Sequence, residues 1–256
     1  MEYAVYAVKY AERDARSRDH FYGGYPEDRP MPMDYFVWAA VSSQHTLVVD
    51  TGFAADVGRR RGRRHLRTAA EALKTIGVDA STVEHVALTH FHYDHIGGLD
   101  QFPAARFFVQ EAEMAFWLGR SLARGEVRTH IELDDLLRIV RLNHAGRVRF
   151  VDGAQEILPG VSVHNLAGHT PGLQVVRVET ASGPVVLASD SSHYYANLDE
   201  DRAFITFVDL AGVFRAFDGL RALAGPDGQV VPGHDPLVLQ RYPAVPGLEG
   251  SAVRIA

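Results

Sequence analysis

The 256-residue chain contains no cysteine. That absence excludes a disulfide scaffold, thiolate metal sites, an iron–sulfur cluster and a cysteine nucleophile. Long apolar runs are missing too. No stretch approaches the ~18 apolar residues that a membrane span needs. An excess of positive charge is also lacking, since 26 basic against 32 acidic residues leave −6. Neither nucleic acid nor an anionic membrane is therefore expected as a partner. Repeats and low-complexity tracts are absent. The opening Met1–Tyr10 segment has no basic leader and no long apolar core. It is expected to form a first strand and not a signal peptide, in a soluble, cytoplasmic protein. The one basic run, Arg59–Arg64, reads as a solvated loop or helix start.

The length suits a single domain spanning 1–256. Short segments rich in β-branched residues and bounded by Gly, Asp or Pro predict strands. They are Tyr35–Val41, Thr46–Asp50, His85–Thr89, Ala105–Val109, Val148–Val151, Val161–Leu166, Gln174–Val178, Val185–Ala188 and Gln229–Val231. Apolar residues at three- and four-residue spacing predict helices over Arg64–Ile76, Gln110–Leu118, Ile131–Leu142 and Leu210–Ala224. The alternation points to an α/β protein with helices covering its sheets. Between Asp19 and Met33, three prolines, two glycines and exposed-looking aromatics exclude a regular element. A loop of that length is usually mobile or a binding loop.

What the chain does hold is histidine, 13 in all. Four potential ligands fall within six residues at His90, His92, Asp94 and His95. In extended chain His90 and His92 point the same way. Asp94 and His95 follow where the chain should turn into a helix, and Gly97-Gly98 allows close backbone approach. Such a segment can address two adjacent metal ions. Imidazole and carboxylate without sulfur suit zinc, and also iron or manganese. Further candidates each sit just past an apolar strand: His169, Asp190 and His234. Ligands collect in this way at one end of a sheet.

His-x-His-x-Asp-His followed by separate His, Asp and His resembles the metallo-β-lactamase superfamily of metallohydrolases. The resemblance runs from Val48-Val-Asp-Thr-Gly52 to Gly233-His234. It implies a four-layer αβ/βα sandwich with the metals at one edge of the facing sheets. By resemblance, His90, His92 and His169 would bind one zinc, and Asp94, His95 and His234 the other. Asp190 would bridge them, and Asp50 would buttress the site without ligating. Iron, manganese or cobalt could replace zinc. Two adjacent cations lower the pKa of a bridging water, and the resulting hydroxide attacks a carbonyl or phosphoryl centre. Asp94 is then also the candidate proton shuttle to the leaving group.

The stretch Ser189–Leu198 looks like the N-acyl-homoserine lactonase group, which has a tyrosine shortly after the bridging aspartate. The resemblance implies ring opening of an N-acyl-homoserine lactone, and hence quorum quenching, or of a related lactone. This chain departs from the group's Ser-Asp-Ala-Ser-Tyr pattern, because His193 stands where the tyrosine would. Either Tyr194 takes that role through a local shift or His193 donates instead, with Tyr194 favoured as the donor whatever the tautomer. Tyr93 sits where the group often has a phenylalanine lining the substrate cleft. Phe21, Tyr22, Met31 and Met33 could wall an acyl chain. A small molecule is the expected partner, with the protein a monomer or homodimer.

The runner-up is an ester, thioester or cyclic-amide hydrolase on the same metals. A glyoxalase II type thioesterase lacks its expected basic stretch here. A true β-lactamase would need a signal sequence, and a nuclease sits badly with the acidic charge. A non-catalytic binding protein of this fold would be expected to have lost ligands, and none is missing. The remaining histidines, His20, His45, His65, His85, His130, His144 and His164, show no pattern. Of these, His20 stands out by lying in the aromatic loop.

Overall fold

The computed structural model describes residues 2–256. Met1, the first residue of the expected opening strand, lies outside them. Its strands are β1 (Ala4–Arg13), β2 (Met33–Val41), β3 (Thr46–Val49), β4 (Arg64–His65), β5 (His85–Ala87), β6 (Arg106–Gln110), β7 (Val148–Val151), β8 (Ala154–Leu158), β9 (Val161–Asn165), β10 (Gln174–Val178), β11 (Val185–Ser189), β12 (Gln229–Pro232) and β13 (Ala252–Arg254). Its α-helices are α1 (Ala55–Arg60), α2 (Ala69–Thr75), α3 (Tyr93–Ile96), α4 (Glu111–Leu118), α5 (Gly125–Arg128), α6 (Leu133–His144), α7 (Tyr195–Asp199), α8 (Leu210–Ala224) and α9 (Val238–Arg241). No helix among the described residues is long and apolar enough to cross a membrane.

The strands form two sheets. The first runs β13-β1-β2-β3-β5-β6-β7 with β4 paired to β1, and the second runs β12-β11-β10-β9-β8. In the first sheet β1, β2 and β3 are antiparallel, and β3, β5, β6 and β7 are parallel. Alternation along each strand divides its side chains between two faces. On β1 and β2, Val5, Ala7, Phe36 and Trp38 face inward and meet Val163, Val176 and Leu187 of the second sheet. The alternate residues Val8, Tyr10, Tyr35 and Val37 pack with Ala72 and Leu73 of α2 and with Leu136 and Ile139 of α6. On the outer face of the second sheet, Val175 and Val186 meet Val213, Phe217 and Leu220 of α8. Helix, sheet, sheet and helix make four layers, the αβ/βα sandwich that the sequence implied.

Most of the expected elements form, with ends shifted by a residue or two. The helix expected over Arg64–Ile76 is a correction. Arg64 and His65 pair with Glu12 and Ala11 of β1, and the helix begins only at Ala69. Thr68 caps it, with Oγ1 accepting from Glu71 N at 3.1 Å while Thr68 N donates to the Glu71 carboxylate at 2.8 Å. This reciprocal capping box stops the helix from extending backwards. Strands β8 and β13 carried no sequence expectation. The Asp19–Met33 segment is irregular, as expected, but Phe21 is buried in it while Tyr22 is exposed.

Candidate metal centre

The seven candidate ligands leave four different strands and meet at one end of the sandwich. His90 and His92 follow β5, and Asp94 and His95 sit in α3. His169 follows β9, Asp190 follows β11 and His234 follows β12. The turn after β5 fits because its glycines are overlapped by backbone. A Cβ on Gly98 would lie 2.1 Å from Thr51 O, and one on Gly97 would lie 2.7 Å from Phe53 Cα. All seven residues are buried.

Two groups share one carboxylate. In the first, His169 Nε2 lies 3.1 Å from His90 Nε2 and 2.9 Å from His92 Nδ1. Asp190 Oδ2 stands 3.3 Å from His169 Nε2. In the second, Asp190 Oδ1 lies 3.0 Å from His234 Nε2 and 3.4 Å from His95 Nε2. Asp94 Oδ2 stands 3.7 Å from His95 Nε2 and 3.8 Å from His234 Nε2. Asp190 thus offers one oxygen to each group.

The outer nitrogens of the rings are already committed. His95 Nδ1 faces Asp50 Oδ2 at 2.7 Å, His234 Nδ1 faces Asp34 O at 2.9 Å and His169 Nδ1 faces Thr206 O at 2.7 Å. Each acceptor draws the ring proton to Nδ1, so each Nε2 presents a lone pair inward. Those lone pairs face each other and two carboxylates. His95 Nε2 and Asp190 Oδ1 are buried without a hydrogen-bond partner. Among the described residues no lysine or arginine forms an ion pair with Asp50, Asp94 or Asp190. Ring nitrogens and carboxylates turned toward one another suit positive charge between them, and an all-N/O donor set fits zinc or another borderline divalent ion.

The ionisation states agree. Burial pushes His90 and His92 well below the ordinary imidazole range and His169 down to about 3, so their lone pairs are free. Burial also opposes charge on His95, but Asp50, Asp190 and Asp94 outweigh it and hold that ring raised. Burial disfavours the Asp190 anion, yet the surrounding histidines, His234 foremost, hold its carboxyl well below the usual range. The second group therefore draws positive charge to the place where a cation would stand.

Several supports escaped the sequence reading. Glu113 of α4 accepts from Phe91 N at 2.9 Å and Trp117 Nε1 at 2.7 Å through one oxygen. Its other oxygen accepts from Thr170 Oγ1 at 2.7 Å and Gly172 N at 3.1 Å. It thereby ties the His90–His92 segment to the His169 turn. Burial raises its pKa, and those four donors oppose the rise. Thr89 donates to both Asp50 oxygens at 2.8 Å. His130 packs beside His92 with ring centroids 5.0 Å apart. No local spacing in the sequence marks these residues, because their partners are distant along the chain.

A cavity of about 310 Å³ opens onto the centre. Tyr93, His193, His20 and Met33 line it, as do Arg13, Arg61 and Arg63. The last two come from the basic run expected to be merely solvated. His193 Nε2 lies 3.1 Å from Asp190 Oδ2, and its ring stacks on Phe204 at 4.3 Å. Tyr194 points elsewhere. Its hydroxyl meets His20 Nε2 at 3.0 Å and Pro32 O at 3.2 Å, behind the cavity wall. The preference for Tyr194 over His193 as the group facing the reacting carbonyl is corrected by this geometry. At one residue after His193, in the extended conformation that precedes α7, Tyr194 faces the opposite way. Tyr22 and Met31 do not line this cavity either. Tyr22 is exposed beside Phe207, and Met31 lines a separate cavity with Tyr194 and Tyr195.

The model of the metallo-beta-lactamase superfamily matches residues 32–242. The chain belongs to this superfamily. An N-acyl homoserine lactonase from a Bacillus species is 31% identical over 53% of this chain and 49% of its own length. The N-acyl homoserine lactonase AttM of Azorhizobium caulinodans is 30% identical over 68% of this chain and 66% of its own. The matched region spans about half the length of the first of these superfamily relatives. Among solved structures, an N-acyl homoserine lactone hydrolase with N-hexanoyl-L-homoserine at its catalytic metal centre superposes with a TM-score of 0.79. That match has 19% identity and covers 96% of this chain and 99% of the other. The dizinc lactonase AidC superposes at 0.71, with 20% identity, over 90% and 86% of the two chains. These superpositions establish the superfamily fold.

Proposed function

We propose that this chain is a metal-dependent hydrolase of carboxylic esters that opens a lactone ring at a dinuclear zinc centre. The substrate in this reading is an N-acyl-homoserine lactone or a related lactone. The observation that carries it is Asp190, whose two oxygens face two separate sets of inward lone pairs. The lactonase relatives support the substrate class.

His90, His92 and His169 would hold one ion and Asp94, His95 and His234 the other, with Asp190 between them. When bound, such a pair supplies Lewis acidity and lowers the pKa of coordinated water toward neutrality. The chain's own groups do the rest. Water adds to the lactone carbonyl carbon, the ring C–O bond breaks, and a proton ends on the released alcohol oxygen. Asp94 Oδ2, at the cavity floor, is assigned to move that proton. His193, an imidazole held flat against Phe204 at the cavity wall, is assigned to share its Nε2 proton between Asp190 Oδ2 and the carbonyl oxygen. The ring of Tyr93 forms part of the substrate wall.

The test combines metal analysis with a substrate panel. The purified protein should hold about two metal ions per chain and open lactones with release of acid, and chelation should abolish this. Fewer than about one metal per chain, with no chelator-sensitive hydrolysis, would overturn the enzyme reading. Faster turnover of thioesters or phosphodiesters than of lactones would replace the substrate class.

A further inference from the structure

The cavity beside the metal centre carries more positive charge than the ligand set explains. Three guanidinium groups line it, in a chain whose net charge is −6. Arg61 is neutralised, since Glu132 Oε1 accepts from its Nε at 3.0 Å and its Nη2 at 2.8 Å. The other two are not. Arg63 donates from Nε to Tyr93 Oη at 3.1 Å and from Nη1 to Arg61 O at 2.6 Å, both uncharged acceptors. Arg13, opposite Met33 at the end of β1, forms no ion pair among the described residues. The one further carboxylate at the rim, Asp19, accepts from Arg16 N at 3.0 Å and stands 3.9 Å from Arg18 Nε. Two half-buried arginines that form no ion pair therefore face the space a substrate must occupy.

A guanidinium is always charged, and its planar fork matches a carboxylate or phosphate. The apolar wall that a long acyl chain would need is short, because Tyr22 and Met31 lie elsewhere and Met33, Tyr35, Tyr93 and Ile205 are what remain. We propose that the substrate is a lactone bearing an anionic oxygen group, a carboxylate or a phosphate ester, held by Arg13 and Arg63. This rests on the lactone-hydrolase reading and selects, within it, a charged lactone over a neutral acyl-homoserine lactone. Arg63 is fixed through Tyr93 and is the more rigid of the two. Arg13 sits on a strand end and sets the far side of the clamp.

The test uses matched γ-lactones carrying a carboxylate, a carboxamide or a phosphate monoester, with the metal-loaded protein. The carboxylate or the phosphate lactone should exceed the carboxamide in kcat/KM by about tenfold or more, as expected for a desolvated charge pair. Whichever anion leads identifies the natural group. Arg13→Gln and Arg63→Gln should each reduce that ratio toward unity, with metal content unchanged. Arg63→Lys should restore part of it by returning the charge. A ratio near unity in the wild-type protein, or a raised ratio that neither glutamine variant lowers, overturns the proposal. If Arg63→Gln fails to fold, Arg13→Gln decides. Calorimetric binding of glutarate against glutaramide to the same proteins repeats the comparison without turnover. If no lactone opens, the hydrolase reading has failed, and the glutarate comparison still judges the arginines. If all three open equally, the anion proposal alone has failed.

Discussion

His95 presents Nδ1 to Asp50 Oδ2 at 2.7 Å. Asp50 sits just past β3 with a left-handed backbone, at φ +64°, and its carboxylate also accepts from Thr89 N and Oγ1. The contact fixes which nitrogen of His95 faces the centre. Asp50→Asn keeps the shape and removes the charge. Metal affinity at the second group should fall about 10–100-fold, as for other partners of ligating histidines. Competition with a chromophoric chelator measures it, and unchanged affinity would refute the role.

Asp190→Asn removes the charge shared by both groups. Metal should fall below two ions per chain and lactone hydrolysis should be lost with it. Elemental analysis reads the first and acid release the second. Two retained ions would contradict a bridging role.

Glu113→Gln tests the tie between the two ligand loops. Whichever way the amide turns, its NH2 faces two donors that the carboxylate had accepted. About 2–4 kcal/mol of stability should be lost, as for buried donors left unsatisfied. Urea unfolding with and without chelator should show the loss in both conditions. A loss seen only with metal bound would mean that Glu113 acts through the ions alone.

His193→Ala and Tyr194→Phe separate the two donors. His193→Ala should lower lactone turnover by about 10²-fold, the usual cost of removing an oxyanion donor. Tyr194→Phe removes only contacts to His20 and Pro32 O. It should cost about 1 kcal/mol of stability and less turnover than His193→Ala. The reverse order of turnover would return the role to Tyr194.

Asp135, near the start of α6, provides a pH-dependent stability test. Burial pushes its carboxyl up to about 6, against the pull of Arg138. Between the unfolded value and 6 the folded state binds the proton more tightly. This group's contribution to stability therefore worsens as pH rises through that window, and it is a net cost above pH 6. Asp135→Asn should be more stable than wild type at pH 7.5, by about 1 kcal/mol after the lost Arg138 contact is discounted. The advantage should shrink toward pH 4. Thermal melts across that range follow it, and a gap independent of pH would count against the titration.

The candidate metal ligands that meet in the fold were legible because their signal is local. His90, His92, Asp94 and His95 lie within six residues, and the other three each end an apolar strand. The strands were legible for the same reason, since β-branched runs end at Gly, Asp or Pro. The start of α2 was also readable, because Thr68 and Glu71 form a three-residue capping pattern that the longer apolar periodicity hid.

What the sequence alone determined is the donor chemistry: candidate nitrogen and oxygen ligands without sulfur, at spacings that can address two neighbouring cations. Only the tertiary structure decided which nitrogen of His95, His234 and His169 faces inward, through Asp50, Asp34 O and Thr206 O. It alone turned Tyr194 away from the cavity and His193 toward it. It also brought Arg13 and Arg63 to the same wall from separate segments, and gave Glu113 its four donors. Ligand identity is a property of residue type and short spacing. Ring tautomer, side-chain direction and uncompensated charge depend on neighbours distant in the chain, and those meet only when the two sheets pack.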